Sequence, residues 1–133
     1  MYKVLSVGIV WEHDIRVLKK QYELFKRYMK EDFEFICAIG IGCTDSKRLV
    51  SEIDKAFQGS IQVIETPQQT HLDPSWRGSV VLQNALNLIP PCKLFIVHAD
   101  LFPISHFSLN EWFSGFDIGG WKQIRRLYNL EYV

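Results

Sequence analysis

The polar residues with the clearest chemical potential are His98 and Asp100, which follow a short apolar run. The segment Cys92–Asp100 reads CKLFIVHAD, and five apolar residues in six positions are typical of a buried β-strand. Because side chains alternate along a strand, His98 and Asp100 are expected to project the same way at its carboxyl tip. A carboxylate and an imidazole are both ligands of divalent metals, and a metal at this place is able to hold phosphates.

The position of this pair depends on the surrounding elements, which alternate between strand and helix patterns. The order strand, helix, strand, helix, strand, loop, helix, strand predicts an α/β fold with a mostly parallel sheet, flanking helices and right-handed crossovers. Ligands of such open sheets bind at the carboxyl ends of the strands, where His98 and Asp100 are expected. The predicted strands are Lys3–Val10, Phe33–Ile39, Ser60–Glu65 and Cys92–Asp100, and the predicted helices are Asp14–Met29, Ser46–Phe57 and Gly78–Leu88.

The connections and the last third of the chain carry weaker patterns. Pro90 and Pro91 end the third predicted helix. After Asp100 the periodicity loosens, and Gln123–Val133 is compatible with either helix or strand. The remaining predictions are a turn at Gly40–Asp45, a polar loop at Thr66–Trp76, a short helix within Ser105–Trp112, a short strand at Phe116–Ile118 and a turn at Gly119–Gly120.

Length and composition limit the class of protein. A chain of 133 residues, 47% of them hydrophobic, has the size of one domain, so residues 1–133 are predicted to form a single domain. Lys plus Arg and Asp plus Glu both number 15, and the missing basic excess argues against a dedicated nucleic-acid binder. No apolar run approaches the roughly 20 residues of a transmembrane helix, and the first residues lack a signal-peptide layout.

The cysteines bear on the cellular compartment. Cys37, Cys43 and Cys92 are odd in number and lack the C-x-x-C spacing of metal sites. They are therefore expected to be reduced, mostly buried thiols, as in proteins of a reducing compartment. Together with the absence of a signal-peptide pattern, they favour a cytoplasmic location.

Two further places are candidates for ligand contact. Gly8 lies near the tip of the first predicted strand and Trp11 just past it, where a nucleotide base is able to stack on the indole. Arg77 precedes a predicted helix start, where N–H groups and the helix dipole favour phosphate, and Gly78 permits close approach of a ligand. The structural alternatives are a core tryptophan and a solvated arginine. For the pair at the strand end they are a structural histidine and a capping or turn aspartate.

Four segments carry motifs that occur in the same order in one known family. KVLSVGIV at 3–10, followed by an amphipathic helix, is similar to the family's opening strand and helix. GCTD at 42–45 is similar to its D-D-G-S-T-D turn. Gly78 and Asn84 match the glycine and asparagine of a family helix, and Ile96–Asp100 stands where the family has its D-x-D strand end. Over roughly residues 2–120 the chain thereby resembles the nucleotide-sugar-binding half of GT-A glycosyltransferases, especially of the family 2 type.

The chain departs from this family pattern at several points. Gly40 and Ile41 stand where the family has an acidic pair that helps to bind the base, and Gln83 replaces an arginine. His98 replaces the first Asp of D-x-D, while Asp100 aligns with the last Asp, which usually binds the metal. Imidazole is a poorer ligand for Mg²⁺ than for Mn²⁺. In the family a downstream acidic residue acts as base, and the acids that follow Asp100 are Glu111, Asp117 and Glu131.

The resemblance implies a compact or truncated version of the Rossmann-like GT-A nucleotide-diphospho-sugar transferase fold. The implied activity is transfer of a sugar from a nucleoside-diphosphate sugar with Mn²⁺ or Mg²⁺. Asp100 would coordinate a metal that bridges the two phosphates, and His98 would assist as a second ligand or by hydrogen bonding. The nucleotide- and sugar-binding residues would then be Gly8, Trp11, Arg77, Gly78, His98 and Asp100.

Three interpretations of function stay open. The first is a metal-dependent glycosyltransferase, whose acceptor is a glycan, a lipid or a protein. The second is a non-catalytic module that has kept the fold, lost the catalytic base and binds a nucleotide sugar or a glycan. The third is an interaction protein or homo-oligomer, because four Trp, five Tyr and nine Phe supply ample aromatic surface. Turnover of a nucleotide sugar separates the first from the second. Stability that no nucleotide sugar or metal changes favours the third.

Overall fold

The computed structural model describes residues 1–7, 15–41, 46–67, 74–115, 125–127 and 130–132. Strands and helices alternate within these ranges as far as the fourth strand, as the sequence predicts. The strands are β1 (Tyr2–Val7), β2 (Phe33–Ile41), β3 (Gln62–Pro67), β4 (Lys93–His98), β5 (Arg125–Leu127) and β6 (Leu130–Tyr132), and the helices are α1 (Ile15–Tyr28), α2 (Ser46–Phe57), α3 (Pro74–Leu88) and α4 (Leu109–Phe113).

The strands β1 to β4 form one sheet in which every pair is parallel. Their order is β3-β2-β1-β4, so the chain first adds β2 and β3 on one side of β1 and then places β4 on the other side. This arrangement confirms the predicted α/β class with a parallel sheet and flanking helices, and it is Rossmann-like. β5 and β6 form a separate antiparallel pair.

One face of the sheet is covered by α1 and α2, as their apolar periodicity predicts. Leu18 and Phe25 of α1 and Leu49 and Ile53 of α2 are buried here. Their spacings of four and seven residues place each pair on one side of its helix. Phe25 is the centre of an aromatic cluster, with its ring centroid 6.0 to 6.2 Å from those of Phe33, Phe35, Phe95 and Phe107.

The opposite face is covered by α3. Val81 and Ala85 of this helix are buried with apolar side chains of β1, β2 and β3. Its cover is thinner over β4, where the side chain of Ile96 is 44% exposed. Because side chains alternate along a strand, His98 lies on the same face as Ile96.

After β4 the chain runs beside α1 from the carboxyl edge of the sheet to its amino edge. We call Leu101–Phe107 the crossing segment. Its first residue accepts a hydrogen bond from the side chain of Gln21, in the middle of α1. The backbone of its last residue donates to the carbonyl of Tyr28 at 3.0 Å and accepts from the N–H of Lys30 at 2.9 Å. The crossing segment is thus hydrogen-bonded to the middle of α1 at its first residue and to the end of α1 and the residue Lys30 beyond it at its last residue.

The boundaries of the strands differ from the predicted ones, and β1 begins at Tyr2 while β4 covers Lys93–His98. β2 continues through Gly40 and Ile41, which pair with Thr66 and Pro67 of β3. The turn predicted to begin at Gly40 is therefore wrong at its first two residues. β3 starts two residues later than predicted, because Ser60 still belongs to the turn that ends α2 and donates its N–H to a carbonyl of that helix.

The end of the chain also differs from the prediction. The short helix begins at Leu109, because Ser108 caps it by accepting a hydrogen bond from the N–H of Glu111 at 3.2 Å. The ambiguous region Gln123–Val133 contains the two short strands β5 and β6. The predicted strand Phe116–Ile118 and the turn after it lie outside the described residues.

The two described cysteines differ in burial, which tests the expectation of mostly buried thiols. Cys37 is buried, and this burial raises the pKa of its thiol to about 12. Cys92 is exposed, which corrects the expectation of mostly buried thiols, because it precedes β4 in the loop after α3. Cys43 lies outside the described residues.

Across the helices that the structure describes, none combines the length and the apolar character that crossing a bilayer requires.

Candidate functional site

β4 ends at His98, and the chain then turns sharply. The N–H of Leu101 donates to the carbonyl of His98 at 3.1 Å, so residues 98–101 form a hydrogen-bonded β-turn, which we call the β4 turn. Asp100 occupies the third position of this turn, and its side chain is exposed. The expectation that strand alternation sets the directions of both His98 and Asp100 is therefore wrong, since only His98 belongs to the strand.

The β4 turn lies beside the carboxyl end of β1. Val7, the last residue of β1, pairs with His98, and the N–H of Ala99 donates to the carbonyl of Val7 at 3.0 Å. From β1 the sheet continues to β2 on one side and to β4 on the other, so these two strand ends flank the point where the strand order reverses. Open α/β sheets bind their ligands in the crevice at such a point. His98 and Asp100 both lie at this edge.

A buried glutamine of α1 holds the β4 turn from inside the protein. Gln21 has no exposed surface. Its Nε2 donates one hydrogen bond to the carbonyl of His98 and one to that of Leu101, both at 2.8 Å. Its Oε1 accepts a hydrogen bond at 2.7 Å from Oγ of Ser6, which is buried on β1. Both amide hydrogens and the amide oxygen are thus used, and burial leaves no polar atom of this side chain unsatisfied.

The side chains of His98 and Asp100 are available to a ligand. Both are exposed, and neither forms a hydrogen bond or ion pair with another residue in the described part of the chain. Over the same ranges no three His, Cys, Asp or Glu side chains are grouped as a metal site would need. One carboxylate and one imidazole fit a metal such as Mn²⁺, which is able to take its remaining ligands from water and from substrate phosphates.

The helix that carries Arg77 and Gly78 begins earlier than predicted. α3 starts at Pro74 and β3 extends to Pro67, so the predicted loop Thr66–Trp76 is wrong at both ends. Proline is favoured as the first helical residue because its missing N–H needs no partner there. Arg77 consequently lies inside the first turn rather than before it. The N–H of Gly78, the fifth helical residue, takes part in helical hydrogen bonding and is not free for phosphate.

The remaining predicted site residues are placed less fully. Because α3 returns from β3 to the parallel strand β4, its amino end faces the carboxyl edge of the sheet. Asn84 of the family-like helix motif is half-buried on α3. Gly8, which directly follows β1, and Trp11 lie outside the described residues, as does the GCTD segment at 42–45.

A second anchored point lies at the opposite, amino edge of the sheet. Glu31 accepts a hydrogen bond from the hydroxyl of Ser108, the N-cap of α4. Its carboxylate also accepts from the backbone N–H groups of Leu109 at 3.1 Å and of Asn110 at 2.9 Å. Burial raises the pKa of Glu31, but the hydrogen bonds outweigh burial and hold the pKa below its ordinary value.

Two surface cavities also lie at the amino edge. Their volumes are about 850 and 630 Å³, and both are lined by Tyr2 and Lys93, the first residues of β1 and β4. Three of the charged side chains around them contact other residues of the protein. Lys30 pairs with Glu111 at 3.4 Å, and the ammonium of Lys93 lies 5.5 Å from the ring centroid of Tyr2. These two cavities lie at the amino edge, whereas the exposed side chains of His98 and Asp100 lie at the carboxyl edge.

Sequence analysis does not identify Gln21 or Glu31. For Gln21 a signal exists, because it lies three residues after Leu18 and four before Phe25, inside the buried stripe of α1. A polar residue in such a stripe needs buried partners. For Glu31 the signal is weaker. The sequence SLNE starting at Ser108 has the capping-box pattern that predicts a helix start, but nothing in it names a carboxylate 77 residues away.

The fold and this site define a Rossmann-like α/β protein with unengaged polar side chains at the point where its strand order reverses. Comparison of the chain with protein-family models, with curated proteins and with solved structures gives no match.

Proposed function

We propose that this protein binds a nucleoside-diphosphate sugar at the carboxyl edge of its sheet and transfers the sugar with the help of Mn²⁺ or Mg²⁺, as GT-A glycosyltransferases do. The observation that carries the proposal is the setting of Asp100. Its exposed carboxylate stands in a turn that a buried side chain holds, next to the point where the strand order reverses. An acid in this setting suits a metal that bridges two phosphates.

The chain's residues have distinct roles in this proposal. Asp100 and His98 would hold the metal, and the metal when bound offsets the negative charge on the diphosphate leaving group. Arg77 would bind phosphate from the first turn of α3, where the helix dipole adds to its positive charge. Gly8 and Trp11 would line the base pocket, because they come directly after β1 in the sequence. The motifs that resemble GT-A enzymes support these roles by their order along the chain.

The cellular setting is part of the same proposal. Cys37 and Cys92 are free thiols. Free thiols persist in a reducing compartment, and an exposed one such as Cys92 would be prone to oxidation elsewhere. We therefore infer that the protein acts in the cytoplasm, where nucleotide-sugar transfer would meet its donor.

The first experiment is a thermal-shift and calorimetric screen of the wild type against nucleoside diphosphates and their sugars, with and without Mn²⁺. A ligand that binds only the folded state adds about 2.7 kcal/mol to its stability at 100 times its dissociation constant. We expect a metal-dependent rise in melting temperature for one nucleotide sugar. We expect Asp100→Asn, which removes the negative charge but keeps the shape, to abolish that rise.

The matched control is Asp54→Asn, which removes a carboxylate that is also exposed, on α2. This variant should respond to the ligand as the wild type does. A shift that Asp100→Asn retains would reject Asp100 as the ligand. The absence of any shift in the wild type would reject the nucleotide-sugar proposal and leave the fold with another use.

The second candidate is a non-catalytic module that binds the nucleotide sugar, and one observation favours it. Glu111, an acid that follows Asp100 in sequence, pairs with Lys30 at the amino edge, so it is unable to act as base beside Asp100. Of the other two, Asp117 lies outside the described residues, and Glu131 belongs to β6. Release of free nucleoside diphosphate during incubation with donor and acceptors supports the enzyme. Binding without release supports the module.

A further inference from the structure

Gln21 is an unusual residue for its place in α1. It has no exposed surface and lies in a helical face that otherwise buries Leu18 and Phe25. Transfer of an amide from water to such a place is unfavourable unless every polar atom finds a partner. Gln21 finds all of its partners far away in sequence, and its bonds to the β4 turn span 77 and 80 residues. A leucine would fill the helix face without this requirement, so the amide serves the segments that it joins.

The β4 turn is held at three of its four residues. The carbonyl of His98 accepts from the N–H of Leu101 and from Gln21, and the carbonyl of Leu101 accepts from Gln21 as well. Ala99 donates its N–H to β1, and its side chain is only 1% exposed. Asp100 is the one residue of the turn whose side chain and peptide group make no such bond within the described part of the chain. The hydrogen bonds of its three neighbours in the turn therefore set the position of the Asp100 backbone, and with it the position of the carboxylate.

We propose that Gln21 is a positioning residue for the ligand site: from inside the protein it fixes the β4 turn and so sets where the Asp100 carboxylate points. The inference rests on the proposed function in one respect, namely that Asp100 binds the metal–nucleotide. Gln21 itself touches no ligand. Residues that orient metal ligands through hydrogen bonds change metal affinity about 10- to 100-fold when they are lost.

The test compares two variants that break the same buried network at different bonds. Gln21→Met has a similar shape and removes both bonds to the β4 turn. Ser6→Ala, the matched control, removes the bond to the amide oxygen but leaves both amide hydrogens on the turn. Both variants lose stability, so stability alone does not separate a positioning role from a structural one. Amide hydrogen exchange at Ala99 and Leu101 and the affinity for Mn²⁺ with nucleoside diphosphate do separate them.

We expect Gln21→Met to raise exchange at Ala99 and Leu101 about tenfold more than at core amides such as Ile36, and to weaken Mn²⁺–nucleotide binding at least about tenfold. Ser6→Ala should change exchange in the β4 turn no more than in the core and should keep its affinity within about twofold. Equal exchange in the two variants would overturn the inference. So would faster exchange in the turn of Gln21→Met with an unchanged affinity.

A measurement on the wild type keeps the inference testable if Gln21→Met does not fold. The side-chain amide hydrogens of Gln21 should exchange slowly in nuclear magnetic resonance spectra, because both are buried and bonded. Exchange at the rate of an exposed amide such as that of Gln62 would overturn the inference. If the wild type binds no metal–nucleotide, the proposed function fails and the ligand role of Gln21 fails with it. If the Gln21 amide nevertheless exchanges slowly, then Gln21 does hold the β4 turn, and only the proposed nucleotide-sugar function is rejected.

Discussion

The two edges of the sheet are fastened by opposite kinds of side chain. At the carboxyl edge Gln21 is neutral and fully buried, and it donates hydrogen bonds to two carbonyls of the β4 turn. At the amino edge Glu31 is charged and half-buried, and it accepts hydrogen bonds from Ser108 and from two N–H groups at the start of α4. Gln21 holds the chain at the turn before the crossing segment, and Glu31 holds it at the start of α4, just after that segment.

The contrast follows from solvation. An ionised carboxylate in the place of Gln21 would lose its hydration, whereas a carboxamide there loses little once its atoms are bonded. At the surface a carboxylate keeps part of its hydration and also gains from charge-assisted hydrogen bonds to a helix start. The β4 turn is consequently held by a group that does not titrate, whereas the start of α4 is held by a carboxylate whose pKa is lowered by its hydrogen bonds.

The largest effect is expected from Phe25→Ala, which tests whether the two edges belong to one cooperative unit. Phe25 lies between Gln21 and Glu31 and contacts Phe95 of β4 and Phe107 of the crossing segment. Loss of this buried ring should lower the free energy of unfolding by about 3–5 kcal/mol, measured by urea denaturation. Amide exchange should rise at both edges together.

The matched control is Phe102→Ala in the crossing segment, where the ring is 37% exposed and the loss should be below about 1 kcal/mol. Faster exchange at only one edge of Phe25→Ala would show that the two edges open independently. They would then belong to two separate cooperative units.

A smaller effect is expected from Glu31→Gln. The amide accepts fewer and weaker hydrogen bonds from Ser108 and α4 than the carboxylate does, so the free energy of unfolding at pH 7 should fall by about 1 kcal/mol, a value reduced for the partial exposure of this group. The isosteric change Glu23→Gln on the exposed face of α1 serves as control and should cost a few tenths of a kcal/mol at most. Ligand affinity at the carboxyl edge should not change.

The same variant sharpens the pH argument. Because the folded pKa of Glu31 lies below its ordinary value of 4.5, its contribution is present above that pH and is lost as the pH falls through the folded pKa. The difference in stability between wild type and Glu31→Gln should therefore be constant near neutral pH and shrink below about pH 4.5. A difference that persists at pH 2 would contradict the assignment of the charge.

The smallest effect is expected from Lys30→Ala. The ion pair between Lys30 and Glu111 is 3.4 Å long, and its side chains are 72% and 69% exposed. Exposed pairs contribute little, so the loss should stay below about 0.5 kcal/mol and vanish in 1 M salt. A loss as large as that of Glu31→Gln would mean that the ion pair fastens the amino edge, and that Glu31 is not its principal tie.

Local features of this fold are predictable from sequence because their causes are local. The helix Ser46–Phe57 has the predicted bounds, since its apolar residues keep helical spacing up to Phe57 and Gln58 and Gly59 end it. Both adopt positive φ values, 50° and 79°, which is the conformation that ends helices and that glycine tolerates best. The strand pairing is different. An apolar run predicts that β4 exists but does not say that β1, and not β3, is its neighbour.

In the candidate site, too, the features with local causes are predictable from sequence and the features with long-range causes are not. The strand-end pattern is enough to single out His98 and Asp100, because the change from apolar to polar residues is local. The direction of Asp100 is not predictable in this way, since it depends on where β4 stops and on a turn bonded to Gln21. The partners of Gln21 are visible only after residues 77 and 80 positions apart have been brought together.

The strand order also has a consequence for the time at which the parts of the molecule are made. Tyr2 of β1 pairs with Phe33 but also with Lys93, about 90 residues later in the chain. On the ribosome β1, β2 and β3 are able to associate as they emerge, while the other side of β1 stays an open apolar edge until β4 has been synthesised. The candidate site beside the β4 turn is thus assembled from the first and the last strands of the sheet, so a nascent chain lacks this arrangement until the sheet is complete.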